Sequence, residues 1–323
     1  MDIVITGSVA YDYLMTFPGH FREHILTDRL ERLSLSFLVD SLIRQRGGIA
    51  PNIAYTMALL GERPRVMATV GTDFDEYRVW LESKGVDTSL IKAIAGDFTA
   101  SFFATTDRAN SQIASFYPGA MKFASELRFS ELPQRPDLVV ISPNEPGAMR
   151  AHVRECKELD IPYFYDPGQQ IVRVEGDELR EGITGCALLV VNDYEFAILE
   201  KKTGWGLKGV LQRVKTLIIT RGADGASVYS DEGTVNVLSV PSDHIVDPTG
   251  VGDAFRGGVL TGMARGWNWK LCAQVGALAA TYCLEQKGAQ SHNFTRTEFV
   301  TRFRRHFDDG GILESLSGRK ENR

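Results

Sequence analysis

Cysteine is scarce: four residues in 323, at Cys156, Cys186, Cys272 and Cys283, none in a C-x-x-C pair. That excludes a disulfide-stapled scaffold or a zinc ribbon, and leaves reduced thiols as the expectation. The six histidines show no H-E-x-x-H or similar ligand spacing, so no transition-metal centre is expected. No apolar run approaches a membrane span, and "MDIVITG" reads at once as a strand rather than a targeting segment. The expectation is a cytoplasmic protein with no membrane partner. Excess positive charge is missing too: 36 Lys and Arg against 41 Asp and Glu leave −5, which argues against a nucleic-acid partner. The chain lacks G-x-x-x-x-G-K-[ST], which excludes a P-loop enzyme. It also lacks G-x-G-x-x-G after its first strand, which weakens a dinucleotide-binding reading. There is no internal repeat and no low-complexity run.

What is present is ordinary globular material, 43% hydrophobic and 24% charged, sufficient for a full core. Strand-like and helix-like segments alternate. Strands are expected at 2–7, 64–71, 137–142, 162–168, 187–193 and 216–220. Helices are expected at 51–61, 75–85, 147–160 and near 253–265 and 270–286. This rhythm predicts an α/β fold with a mostly parallel sheet covered on both faces. Ligands bind such sheets beyond the carboxyl ends of the strands, which points to Gly7, Ser8, Asp166, Asn192 and Thr220 to Gly222. Two segments break the rhythm. "YDYLMTF" (11–17) alternates with period two, and 99–106 with 111–117 reads as a hairpin around "DRAN". They predict a small separate sheet acting as a lid.

"DPTGVGDAFRGG" (247–258) sets a glycine-rich turn directly before a helix. Successive amides of Gly250, Val251 and Gly252 can form an anion nest, strengthened by the helix dipole. Asp253 beside such a nest suits phosphoryl transfer, where positioning does most of the work and the base works at an ordinary pKa near ~4. A bland reading, a capped helix after a turn, accounts for a motif this short equally well.

Four motifs in one order resemble the ribokinase-like (PfkB) kinase family: "RGGIAPN" (46–52), "NDYE" (192–195), "TRGADG" (220–225) and "DPTGVGDAF" (247–255). Within it, the segments "GSVAYDYLMTFPGHF", "SLSFLVD", "QIASFYPGAM" and "DPGQQI" are similar to bacterial adenosine kinases of the mycobacterial type. The resemblance implies a three-layer α/β/α kinase domain over 1–323, with a β lid built from about 9–18, 32–40 and 98–118. It implies transfer of the ATP γ-phosphate to the 5'-hydroxyl of adenosine, with a sugar kinase or broad nucleoside kinase as the alternative.

The same resemblance assigns roles. Asp253 is the base, and Gly250, Val251 and Gly252 form the anion hole. Asp12, Gly48 and Asn52 meet the ribose. It also places Gln169 and Gln170 near the nucleoside. From their chemistry, Phe102 and Phe116 suit stacking on a flat base, filling the lid's own small core being the alternative, and Ser8 and Ser36 suit hydrogen bonds to the purine edge or the sugar. Asn192 and Glu195 organise hydrated Mg²⁺, a helix N-cap being the plainer reading of both. Thr220, Gly222 and Gly225 belong to the ATP site, where Arg221 is either a phosphate contact or a surface charge. Asp247 with "KGAQ" (287–290) implies a potassium loop in some relatives, and the lid implies a homodimer. Pro51 departs from the glycine of the adenosine kinases, in a first turn that tolerates it.

Overall fold

The computed structural model describes residues 1–25, 31 and 34–317. Thirteen strands form two sheets among these residues. They are β1 (Ile3–Thr6), β2 (Ala10–Thr16), β3 (Ser41–Gly47), β4 (Arg65–Val70), β5 (Ile91–Ala93), β6 (Ala100–Thr106), β7 (Gln112–Tyr117), β8 (Leu138–Ile141), β9 (Tyr163–Tyr165), β10 (Leu188–Asn192), β11 (Leu217–Thr220), β12 (Ala226–Ser230) and β13 (Gly233–Val237). The large sheet runs β13-β12-β11-β10-β9-β8-β1-β4-β5. It is parallel from β11 to β5, with β12 and β13 added antiparallel at one edge.

Its inner strands β1, β8, β9, β10 and β11 are almost wholly apolar and buried because both faces are covered. Ile5, Val140, Val190 and Ile218 point into a core shared with the helices Ile49–Leu59, Val251–Ala264, Trp269–Leu284 and Arg296–Phe303. Their neighbours Val4, Val139, Val191 and Ile219 point the other way, into a core shared with Pro146–Glu158, Gly176–Ile183 and Asp193–Thr203. The period-two alternation of each strand thus feeds two cores and yields the three-layer α/β/α arrangement. Two helix contacts fix the site. A Cβ on Gly258 would lie 2.6 Å from Gly276 Cα, and one on Gly257 would lie 2.7 Å from Thr56 Cβ. Bare backbone there brings the Val251–Ala264 helix against both neighbours.

The small sheet has the order β3-β2-β6-β7. β6 and β7 form the expected hairpin, and β2 pairs parallel to β6. Its fourth strand corrects the expectation at 32–40. Residues 34–39 carry no strand, 32 and 33 lie outside the described residues, and pairing begins at Ser41. As an edge strand exposed along most of its length, β3 has little burial pattern to betray it.

Candidate active site

The turn before Asp253 is shaped by Gly250, which caps the helix in the left-handed region at φ 79°. A Cβ there would stand 2.3 Å from Ala289 Cβ, so only glycine fits. Among the described residues no hydrogen bond forms at the amides of Gly250, Gly252 or Asp253. The first turn of a helix leaves such donors open, and they add to its positive end. Val251 differs from the expected nest, because its amide reaches back to the Pro248 carbonyl at 3.3 Å.

Asp253 is buried, and burial pushes its carboxyl up to about 7, with the Arg256 guanidinium pulling the other way. The expectation of an ordinary carboxylate pKa is therefore corrected. Asn52 Nδ2 donates to Asp253 Oδ2 at 2.8 Å, and Gln290 Nε2 donates to Asn52 Oδ1 at 2.7 Å. Both polar ends of the Asn52 amide are thus engaged, one by the Asp253 carboxylate and the other by Gln290. Arg256, one helical turn after Asp253, donates to Asp166 Oδ1 at 2.8 Å and to the Gly252 carbonyl at 3.0 Å. Its Nε also lies 2.6 Å from Asp166 Oδ2. Sequence reasoning missed Arg256 and Gln290. A lone arginine amid the glycines and apolar residues of "DAFRGGVL" was the available signal for the first.

On the small sheet, register places Gln45, Asp12, Phe102 and Phe116 directly opposite one another across β3, β2, β6 and β7. Cross-strand partners share a face, so these four side chains form one row. The two phenylalanines lie side by side as a platform rather than as the two jaws of a clamp. Phe102 is half-buried and Phe116 is 46% exposed. Burial raises the Asp12 carboxyl to about 6. Gly48, at φ 97°, passes so close to β2 that a Cβ would meet the Ser8 carbonyl at 2.5 Å. Ser8 Oγ accepts from the Ile49 amide at 3.3 Å, which is a helix-capping role. Ser36 is exposed, as is Gln169. Gln170 is buried, and its Oε1 has no partner among the described residues.

At the carboxyl ends of β10 and β11, Asn192 and Thr220 are register neighbours. Asn192 and Glu195 form a reciprocal capping box: Glu195 N donates to Asn192 Oδ1 at 2.7 Å, and Asn192 N donates to Glu195 Oε2 at 2.8 Å. Burial raises the Glu195 carboxyl, with Asp166 adding to the effect. Gly222 and Gly225 bracket the following turn, closed by Arg221 N donating to the Gly225 carbonyl at 2.7 Å. Arg221 Nη1 is tied to Ser227 Oγ at 2.5 Å. Asp247 accepts from the Thr249 and Gly288 amides, both at 2.9 Å, and so staples the glycine turn to the 287–290 loop. No cluster of three or more His, Cys, Asp or Glu able to hold a metal occurs among the described residues.

Known proteins match this arrangement over nearly the whole chain. The model of the pfkB family carbohydrate kinases covers residues 6–296. A nucleoside kinase of Methanothermobacter thermautotrophicus is 26% identical over 306 residues, 94% of this chain and 95% of that one. The ligand-free nucleoside kinase of Burkholderia thailandensis is 37% identical with a TM-score of 0.85, covering 93% of this chain and 99% of its own. That enzyme is also solved with inosine, at 36% identity, a TM-score of 0.83 and coverage of 94% and 98%. Its structure with ADP and inosine gives 37%, 0.82, and coverage of 94% and 96%. The Methanocaldococcus jannaschii nucleoside kinase, an archaeal member of the ribokinase family, gives 25%, 0.84, and 95% and 99%. With its motifs, its fold and its full-length relatives in agreement, the chain belongs to the pfkB family of carbohydrate kinases.

Proposed function

We propose that this protein is a nucleoside kinase of broad specificity, transferring the γ-phosphoryl group of ATP to the 5'-hydroxyl of purine and pyrimidine nucleosides, adenosine among them. The observation that carries the reading is a buried carboxylate, Asp253, set directly beside three unpaired amides at a helix N-terminus. Asp253 takes the proton of the 5'-hydroxyl as the new O–P bond forms and the bond from the γ-phosphorus to the bridging oxygen of ADP breaks. The open amides of Gly250, Gly252 and Asp253 stabilise charge on the phosphoryl oxygens in transit. Magnesium keeps several waters and needs few protein ligands. Asn192 and Glu195 suit that indirect role, and the ion would neutralise phosphate charge. Thr220, Gly222 and Gly225 border the ATP side. The small sheet closes as a lid over the nucleoside and keeps water from the phosphoryl group.

Breadth rather than adenosine specificity fits the Asp12 row. Asp12 accepts two adjacent ribose hydroxyls, which every ribonucleoside offers. An aromatic platform binds any base by stacking. The relatives point the same way, being nucleoside kinases, one of them solved with inosine.

A coupled assay of ADP release tests this with adenosine, inosine, cytidine and ribose. The three nucleosides are expected within about tenfold of one another in kcat/KM. Ribose, lacking the stacking worth ~1–3 kcal/mol, falls roughly ten- to a hundredfold below them. Phe102→Ala closes that gap by raising KM for the nucleosides alone. Adenosine leading inosine and cytidine by more than about a hundredfold restores the adenosine-specific reading, and ribose as the best substrate removes the nucleoside.

The face opposite Asp12 carries Leu42, Phe103 and Ile113, at 61%, 37% and 45% exposure. Apolar surface of this kind beside two open strand edges suits self-association. Light scattering is expected to give a dimer, and Leu42→Lys with Ile113→Lys a monomer.

A further inference from the structure

A buried chain of hydrogen bonds runs from Asp253 to the root of the small sheet. Gln290 Nε2, which donates to Asn52 Oδ1, gives its second hydrogen to the Tyr77 hydroxyl at 2.5 Å. The Tyr77 hydroxyl donates in turn to the Gly47 carbonyl at 3.0 Å. Gly47 ends β3 directly under Asp12, whose Oδ2 lies 2.6 Å from where a Gly47 Cβ would stand. Asp253, Asn52, Gln290 and Tyr77 are all at least nine-tenths buried.

The chemistry fixes the direction of every link. An ionised Asp253 accepts only, so Asn52 must turn its amide nitrogen to it and its oxygen to Gln290. Gln290 must then present its nitrogen. Burial pushes the Tyr77 phenol far above its usual range, so it keeps its proton and gives it to Gly47. A donor on Asn52 Oδ1 polarises the amide and makes its Nδ2 a stronger donor to Asp253.

We propose that Gln290 and Tyr77 are positioning residues, which hold Asn52, and through it Asp253 Oδ2, in register with the Gly47 carbonyl, so that the seating of the small sheet over a nucleoside is transmitted to the base. The inference rests on the reading of Asp253 as that base. Tyr77 lies on the helix Asp75–Ser83, outside every motif, and Gln290 closes the "KGAQ" segment on the loop after Trp269–Leu284, where the resemblance gave it no part in positioning the base.

The groups that act electrostatically on Asp253 are Arg256 on its own helix, Asp166 after β9 and Glu195 on Asp193–Thr203, while Cys283 on Trp269–Leu284 feels its charge. Among the described residues no hydrogen bond or ion pair joins Tyr77 or Gln290 to any of them, and their one bonded route to Asp253 runs through Asn52. The test follows the Asp253 carboxyl by ¹³C NMR against pH in the full chain, for wild type, Gln290→Met, Tyr77→Phe and the double variant, together with kcat and KM for inosine.

Losing the donor on Asn52 weakens the bond that favours the ionised carboxylate. Gln290→Met is therefore expected to raise the Asp253 pKa by roughly half a unit or more and lower kcat about threefold to tenfold, with KM within about twofold. Tyr77→Phe moves both in the same direction by less, and the double variant goes no further than Gln290→Met, because the residues act in series. An Asp253 titration unmoved in Gln290→Met overturns the proposal, even where stability falls, since a merely structural role predicts that result. Additive shifts in the double variant overturn it as well. Should Tyr77→Phe fold poorly, Gln290→Met decides alone. Absence of turnover in the wild type would sink the kinase reading instead, and leaves the titration to be judged by itself.

Discussion

Replacing Asp253 with asparagine is expected to lower kcat about a thousandfold, within the range for removal of a general base. The amide keeps the shape of the carboxylate and still offers an oxygen to Asn52 Nδ2, so the pocket stays filled and calorimetry should give a nucleoside Kd within a few fold of wild type. What disappears is the acceptor for the 5'-hydroxyl proton. In the wild type the same group sets the pH dependence. Burial holds its pKa at about 7, so only the ionised fraction works and kcat/KM should fall as pH drops through about 7. The stability effect has the opposite sense. The folded pKa lies above the unfolded value near ~4, so the unfolded chain loses this proton first. The neutral form's contribution is complete below about 4 and is lost as pH rises to about 7. Asp253→Asn should therefore unfold at a higher temperature than wild type at pH ~8, with the difference shrinking toward pH ~5. A kcat within about tenfold of wild type would remove Asp253 from the mechanism.

The elements legible in the sequence are those whose signal is local. Val4, Val139 and Val191 alternate with Ile5, Val140 and Val190, and these buried runs read directly as strands of a two-faced sheet. The Gly250 turn and the Asn192 capping box are complete within a few residues, and both are present, although the Val251 amide is taken by the Pro248 carbonyl instead of joining the nest. β3 was not legible, because Leu42 and Ile43 are exposed and two arginines interrupt the pattern. The polar partners of Asp253 are the larger gap. Asn52 lies 201 residues away in sequence, and Gln290 meets Asn52 across 238. Arg256 finds Asp166 across 90. The type of a side chain fixes what it donates, and only the packing of helices at Gly257 and Gly258 determines which acceptor it meets. The pKa of Asp253 was misjudged for the same reason, since desolvation is a property of the packed site and not of the motif.

Arg256→Met is expected to cost about 3–5 kcal/mol of stability, the usual penalty for stranding one member of a buried ion pair. Its side chain is 9% exposed and that of Asp166 is 2% exposed. Burial already raises the Asp166 carboxyl, and Arg256 is what opposes the rise. Without the arginine the carboxyl becomes neutral or the site opens, and either outcome shows as a lower denaturant midpoint. Asp166→Asn combined with Arg256→Met should recover much of that loss, because two uncharged groups of similar volume no longer need each other. Activity should not recover with it. Arg256 also grips the Gly252 carbonyl at 3.0 Å, which holds the turn whose amides face the phosphoryl group, and its charge lowers the pKa of Asp253. Arg256→Lys keeps the charge but lacks the planar fork that reaches carboxylate and carbonyl together, so it should retain more stability than methionine and still lose kcat. A single Arg256→Met variant within about 1 kcal/mol of wild type would mean that the pair is not stabilised as its burial implies. If stability and kcat recovered together in the double variant, Arg256 would act on the fold alone, and the anion turn would be held by Gly250 and the Asp247 staple without it.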